Sequence, residues 1–212
     1  MMLLLPGNAK ALLRHIDCNP HIYGWLLTPR RTMTRTSLFG LPYAVDNECF
    51  TLGDAFDGAR FVRALQRIKE VHGLGQCLFV TSPDVVGNAM ATLARFAEWQ
   101  PIIKGLGFPV ALAGQDGCET LDIPWNNLDA LFIGGSTEWK LSQAVADLIS
   151  EAKVRGKWTH MGRVNSTRRA SRLREMPDSV DGTAWVKHPT EYARQWQKWV
   201  LAGMPSFVGV LF

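Results

Sequence analysis

Six short apolar runs in this 212-residue chain each end in a polar residue or a pair of glycines, and that pattern limits the folds open to it. Asp46 follows Pro42–Val45, Asp84 follows Leu78–Pro83, and Gln115 follows Pro109–Gly114. Gly134 and Gly135 follow Leu131–Ile133, His160 follows Lys157–Thr159, and Asp181 follows Asp178–Val180. Strand-length apolar runs with such endings are what a (β/α) barrel or a wound parallel sheet produces. In both folds the strand C-termini form the active-site face. The repetition points to an enzyme.

Segments with helical spacing separate these runs. Gly58–His72 carries Phe61, Leu65 and Ile68 on one face, with Asp57 placed to cap its start. Asn88–Lys104, with Pro101 near its end, and Thr190–Leu201, with Tyr192, Trp196 and Trp199, read the same way. Thr137–Arg155 reads as one helix between a Ser136 cap and Gly156. Weaker helices fall at Asn8–Ile16 and Ser166–Arg174. Strands are expected at Ile22–Leu27, Tyr43–Val45, Gln76–Val80, Pro109–Ala113, Ala130–Ile133, Trp158–Met161, Ser179–Val180 and Phe207–Leu211. Alternation of the two types implies an α/β fold with parallel pairing. Eight strands suit a compact (β/α)8 TIM-like barrel, closed or partly open, since about 250 residues is usual for that fold.

Composition agrees with one globular domain spanning residues 1–212: 47% of residues are hydrophobic and only 20% charged. A net charge of +4 permits an anionic partner without requiring one. Cys18, Cys49, Cys77 and Cys118 are too scattered for a zinc site or a small disulfide framework, so no metal is expected. Residues 1–5 are too short and uncharged for a signal peptide, and no apolar run could span a bilayer. The expected location is the cytoplasm, with no membrane contact.

Several strand-end residues also have plain readings. Asp46-Asn47 and Asp181-Gly182 are ordinary turn dipeptides, and Asp84 could cap the following helix. Gly134-Gly135 could be only a tight turn, although such turns also expose N–H groups to a ligand. Gln115 has no helix or strand role, and its amide suits a polar base edge. Arg163, Arg168, Arg169, Arg172 and Arg174 form the densest basic run. A solvated face explains them, yet Arg168 and Arg172 fall on one helical face. With Arg30, Arg31 and Arg35 they could rim a phosphate site.

In this order the residues resemble the tRNA-guanine transglycosylase superfamily, most of all its shorter phage and bacterial members that place 7-deazaguanines in DNA. The resemblance runs from about Gly24 to Trp185. The family's aspartate-serine-glycine-glycine-aromatic motif is present as Asp46-Asn47-Glu48-Cys49-Phe50, with its middle changed. The purine-reading aspartate matches Asp84, the glutamine-glycine motif matches Gln115, and the double glycine matches Gly134-Gly135. The histidine strand matches His160, and the nucleophile motif matches Asp178-Ser179-Val180-Asp181. No cysteine follows Cys118, so the zinc-binding C-terminal subdomain of the tRNA enzymes has no counterpart, which favours DNA.

The resemblance implies exchange of guanine in double-stranded DNA for a free 7-deazaguanine such as 7-cyano-7-deazaguanine, with no cofactor. Asp181 would attack C1′ and Asp46 would act as general acid and base. Phe50, Asp84, Gln115, Gly134, Gly135 and His160 would hold the base. Arg30, Arg31, Arg163, Arg168, Arg169 and Arg172 would hold phosphates around a flipped guanine. A tRNA-guanine transglycosylase, an N-glycoside or nucleoside hydrolase, and a non-catalytic nucleic-acid-binding protein are the competing readings. A homodimer and an accessory protein both stay open.

Overall fold

The computed structural model describes residues 1–6, 19–30, 40–184 and 189–203. Eight parallel strands run in chain order around a closed barrel: β1 Met2–Pro6, β2 Tyr23–Leu27, β3 Tyr43–Val45, β4 Cys77–Thr81, β5 Val110–Gly114, β6 Ala130–Ile133, β7 Trp158–Met161 and β8 Ser179–Asp181. The seam closes where Met2, Leu3 and Leu4 pair with Ser179, Val180 and Asp181. The chain is therefore a (β/α)8 barrel, and it is closed.

One strand of the ring differs from expectation. The apolar start of the chain, read only as too short for a leader, is β1, buried at Leu3, Leu4 and Leu5. The run Phe207–Leu211, expected as the eighth strand, lies outside the described residues, as does the helix expected at Asn8–Ile16. A strand buried on both faces is uniformly apolar, so β1 carries no alternation to mark it.

The helices form where capping and periodicity agree. In α1, Cys49–Leu52, a single turn follows β3. In α2, Gly58–His72, Asp57 accepts the Arg60 N–H, and Phe61, Ala64, Leu65 and Ile68 face inward. In α3, Ala89–Gly105, Asn88 is the cap and Pro101 lies inside the helix rather than at its end. The expected long helix after β6 is two, α4 Thr137–Lys140 and α5 Gln143–Val154. Ser142 has extended backbone and its side chain caps a fresh start by accepting from Val145, which interrupts the first helix. The helix expected at Ser166–Arg174 shortens to α6 Thr167–Ala170, and α7 Pro189–Leu201 ends the described chain.

Two apolar layers follow from the strands' period of two. Outward residues such as Leu5, Trp25, Val45, Val80, Leu112, Ile133 and Val180 pack against the helices. Trp196 and Trp199 of α7 join that layer with their rings 5.5 Å apart, so this aromatic stripe is core. Inward residues Leu4, Leu26, Ala44, Phe79, Ala111, Ala130 and Phe132 fill the lumen.

Gly24 lies beside Leu4 in the lumen, and a Cβ there would come within 2.7 Å of the Leu4 side chain and 2.9 Å of the Pro42 carbonyl oxygen. Gly24→Ala should therefore cost about 1–3 kcal/mol by overpacking. Urea melts of the two proteins check this, and equal midpoints would contradict it.

Candidate active site

The period of two that fills the lumen also builds the site. Two residues beyond Leu4, Leu26, Ala44, Phe79, Ala111, Phe132 and the buried His160, toward the strand C-termini, stand Pro6, Thr28, Asp46, Thr81, Ala113, Gly134 and Gly162. Asp181 holds the corresponding place on β8, beside Leu4 across the seam. Several of these residues are small or lack a side chain, and a cavity of about 570 Å³ opens above the lumen. That volume is in the range of small-molecule sites. A Cβ on Gly134 would meet the Gln115 amide at 2.9 Å, and one on Gly162 would meet Phe132 at 2.8 Å.

Asp46, Phe50, Asp84, Gln115, Gly134, Gly135, Asp181, Arg30 and Arg163 line this single cavity. Nine residues singled out from the sequence are thus brought together from the ends of seven strands, β2 to β8. Asp181 is held on both oxygens: Oδ1 accepts the Arg163 backbone N–H at 2.9 Å, and Oδ2 lies 3.0 Å from His160 Nε2. An indole only donates, so Trp158 Nε1 donates to Ser179 Oγ at 2.9 Å, and that oxygen lies 2.9 Å from His160 Nδ1. With the proton of a neutral His160 on Nε2, the ring donates to Asp181 and the serine hydroxyl donates to Nδ1, which satisfies the whole chain.

His160 was expected to touch a bound base. It is fully buried between Phe79 and Phe132, with ring centroids 5.3 and 4.7 Å away, and does not line the cavity. Its period-two place is one layer below the mouth, so it supports Asp181 from beneath.

Asp46 has a different environment. Its Oδ1 accepts the Glu48 N–H at 2.6 Å, so the turn reading of Asp46-Asn47 is also correct. Burial pushes its carboxyl up to about 7 from an ordinary 3.8, and the nearby carboxylates of Asp181 and Asp84 add to the rise. Glu48 itself adopts φ +62, a left-handed conformation, and its Oε2 lies 4.0 Å from Arg30.

Asp84 does not cap α3; Asn88 does. It is instead the centre of a buried network, accepting from Asn47 Nδ2 at 2.9 Å and from Gln115 Nε2 at 2.7 Å. Burial raises the Asp84 carboxyl, and the bond from Asn47 opposes the rise. Gln115 Oε1 accepts the Gly87 N–H at 3.0 Å, so each end of its amide already has one protein partner. Asp116, which separates Gln115 from Gly117, accepts the N–H and hydroxyl of Ser136 and so fixes the start of α4. The Gly134 N–H donates to the Gly114 carbonyl. It is spent within the barrel, and what Gly134 contributes to the cavity is the absence of a side chain.

The arginines divide. Arg163 spans the mouth: its backbone is at φ +61, its Nη2 donates to the Gly135 carbonyl at 2.6 Å, and its guanidinium lies 4.5 Å over the Phe50 ring. Arg169 ties to this loop by donating to the Arg163 carbonyl at 3.0 Å. Arg168 and Arg172 do not share a helical face, because α6 ends at Ala170 and Arg172 falls in the following turn. Both are exposed and neither lines the cavity. Arg31 lies outside the described residues.

Two contributors had no visible sequence signal. Asn47, part of the altered motif, bonds both Asp84 and the Ser82 carbonyl. Lys140 is buried, donates to the Gly162 carbonyl at 2.8 Å, and is lowered by burial to about 7. An asparagine after an aspartate reads as a turn, and a lysine at a helix end reads as a surface residue. Among the described residues no His, Cys, Asp and Glu cluster is arranged to hold a metal ion, and no helix is long and apolar enough to cross a membrane.

No family model matches the chain, and no curated protein matches it in sequence. Among solved structures it is similar to methylaspartate ammonia lyase from Clostridium tetanomorphum, at 15% identity and a TM-score of 0.48. That likeness covers 92% of this chain and 48% of the lyase, so this chain spans about half the length of that structure.

The raised carboxyl of Asp46 has a consequence for stability. A group that titrates at about 7 when folded and near 3.8 when unfolded favours the fold below pH 4, and loses that contribution as pH rises toward 7. Asp46→Asn keeps an oxygen for the Glu48 N–H but does not ionise. It should melt above the wild type at pH 8, and the gain should shrink at pH 4. Thermal melts at the two pH values check this; a pH-independent difference would contradict it.

Proposed function

We propose that this protein is a guanine transglycosylase that exchanges a guanine in DNA for a free 7-deazaguanine. The observation that carries this reading is the pair of aspartates sharing one cavity in opposed surroundings. Asp181 accepts donors on both oxygens, which fix its carboxyl group in the cavity wall. Asp46 is buried near other carboxylates and holds its proton close to neutrality. A fixed carboxyl group and one that keeps its proton to about 7, sharing a cavity, are suited to act as nucleophile and acid.

The steps follow from these states. An Asp181 oxygen forms a bond to C1′ as the C1′–N9 bond breaks, and the bonding pair leaves with the base. Asp46 delivers its proton to N9, so neutral guanine departs and a glycosyl-aspartate remains. The Asp46 carboxylate then takes the N9 proton of the incoming 7-deazaguanine. N9 attacks C1′, the C1′–Asp181 bond breaks, and both carboxyl groups return to their starting states. Asp84 and Gln115 would meet the polar purine edge with the lone pairs and N–H left over from their own network. A base stacked on the Phe50 face that Arg163 covers would displace the guanidinium, freeing Arg163 for a phosphate. The target guanine would have to leave the duplex to reach the cavity. Its setting would be cytoplasmic, in a host cell if the chain is phage-encoded.

Incubation of the protein with duplex DNA and 7-cyano-7-deazaguanine, followed by mass spectrometry of the digested nucleosides, tests the reading. A deazaguanine deoxynucleoside should form with the wild type and not with Asp181→Ala. Free guanine with an abasic site would make the protein a hydrolase, and product in tRNA but not DNA would move the substrate to RNA. The reaction should also slow above pH 7, kcat/KM for DNA falling about tenfold per pH unit as Asp46 loses its proton. A flat profile from pH 6 to 9 would remove Asp46 as the acid.

A further inference from the structure

Among the described residues that line the cavity, three buried oxygens have no hydrogen-bond partner: Thr28 Oγ1, Glu48 Oε2 and Thr81 Oγ1. Thr28 and Glu48 are partly exposed, and Glu48 has Arg30 nearby. Thr81 is different, with only 3% of its surface accessible. An unpaired hydroxyl so deeply buried carries an uncompensated desolvation cost, and native proteins leave few of them unmatched. Ser82 Oγ is also unpaired but does not face the cavity, so it has no ligand to meet. Thr81 has one.

Its place in the ring says which part of a ligand it would meet. Thr81 and Asp46 stand in the same inward layer on neighbouring strands, β4 and β3, whose backbones run about 4.8 Å apart. Asp181, which would hold the sugar, lies on β8, on the far side of Asp46 from Thr81. The segment leaving β4 beyond Thr81 carries Asp84, and Gln115 follows β5; these are the groups suited to the purine's distal edge. Along this arc, sugar, glycosidic nitrogen and distal edge appear in order, with Thr81 between the last two. Between N9 and the distal edge, the ring nitrogen nearest N9 in the six-membered ring is N3, an acceptor joined to N9 through C4.

Resting on the transglycosylase reading, we propose that Thr81 is a base-binding residue that donates its hydroxyl to N3 of the purine. When the C1′–N9 bond breaks, the electron pair is shared between N9 and N3. A donor at N3 therefore stabilises the departing base while Asp46 protonates N9. The same bond orients the incoming 7-deazaguanine, which keeps N3. It also explains why a threonine stands at a lumen-facing position where the layer below is phenylalanine.

Guanine and 3-deazaguanine, in which a C–H replaces N3, separate this role from a structural one. Calorimetric titration should show the wild type binding guanine about tenfold more tightly than 3-deazaguanine, the worth of one such bond. Thr81→Val should lose that preference by weakening guanine alone, and Thr81→Ser should keep it. Because the hydroxyl has no protein partner, Thr81→Val should melt at or above the wild type, so weaker binding could not be put down to misfolding. If Thr81→Val keeps the wild-type ratio of the two affinities, the Thr81 assignment is wrong while base binding stands. If the wild type binds neither base, the transglycosylase reading fails and takes this assignment with it.

Discussion

The pairing of β1 with β8 is the constraint from which the rest of the site follows. Leu4 opposite Asp181 closes the ring, and closure fixes which residue of every strand faces the lumen. With a side-chain period of two, a shift of one residue at this seam would turn Asp181 outward among the helices. Parallel strands buried on both faces give no polar side to correct such a slip. The register is instead held by packing, with Gly24 admitting Leu4 and the outer residues filling the helix layer.

Above that seam the protein keeps polar groups in an apolar surround by giving them partners in series. Trp158, Ser179 and His160 form a chain that ends on Asp181, and each member has a defined donor or acceptor role. Asn47, Asp84, Gln115 and Gly87 form a second network on the opposite wall. Networks of this kind are rigid when complete, because any unpaired member would bear a full desolvation cost. Asp46 stands between the two networks with a single N–H bond on one oxygen. Asp181 is thereby held on both oxygens and Asp46 on one.

The basic loop after β7 links the two walls. Arg163 uses its backbone to hold Asp181 and its side chain to reach Gly135 and Phe50, while Lys140 and Arg169 hold that loop from below and beside. Displacing the guanidinium from Phe50 leaves the backbone bond to Asp181 untouched. Support of Asp181 and cover of the Phe50 ring are thereby assigned to different parts of one residue.

Much of this was legible in the chain itself. Caps at Asp57, Asn88 and Ser136, helical spacing at Phe61–Ile68 and polar endings on six apolar runs establish strands, helices and the side of the barrel that carries the site. Those are local properties, set by backbone hydrogen bonding and by which residue faces water. Residues 1–6 and the break at Ser142 escaped, because an apolar strand looks like any apolar segment and a serine within a helical pattern looks tolerated. What His160 touches, that Gln115 and Gly134 are partly spent on the barrel, that Asn47 belongs with Asp84, and that Arg172 leaves the helix were decided only by the tertiary structure. The bonds concerned join groups 18 to 37 residues apart that meet across neighbouring strands, as those from Arg163 to Asp181 and from Asn47 to Asp84 show. Residue type limits what a side chain can do, but closure of the ring chooses its partners, and partners determine which of its polar atoms are left for a ligand.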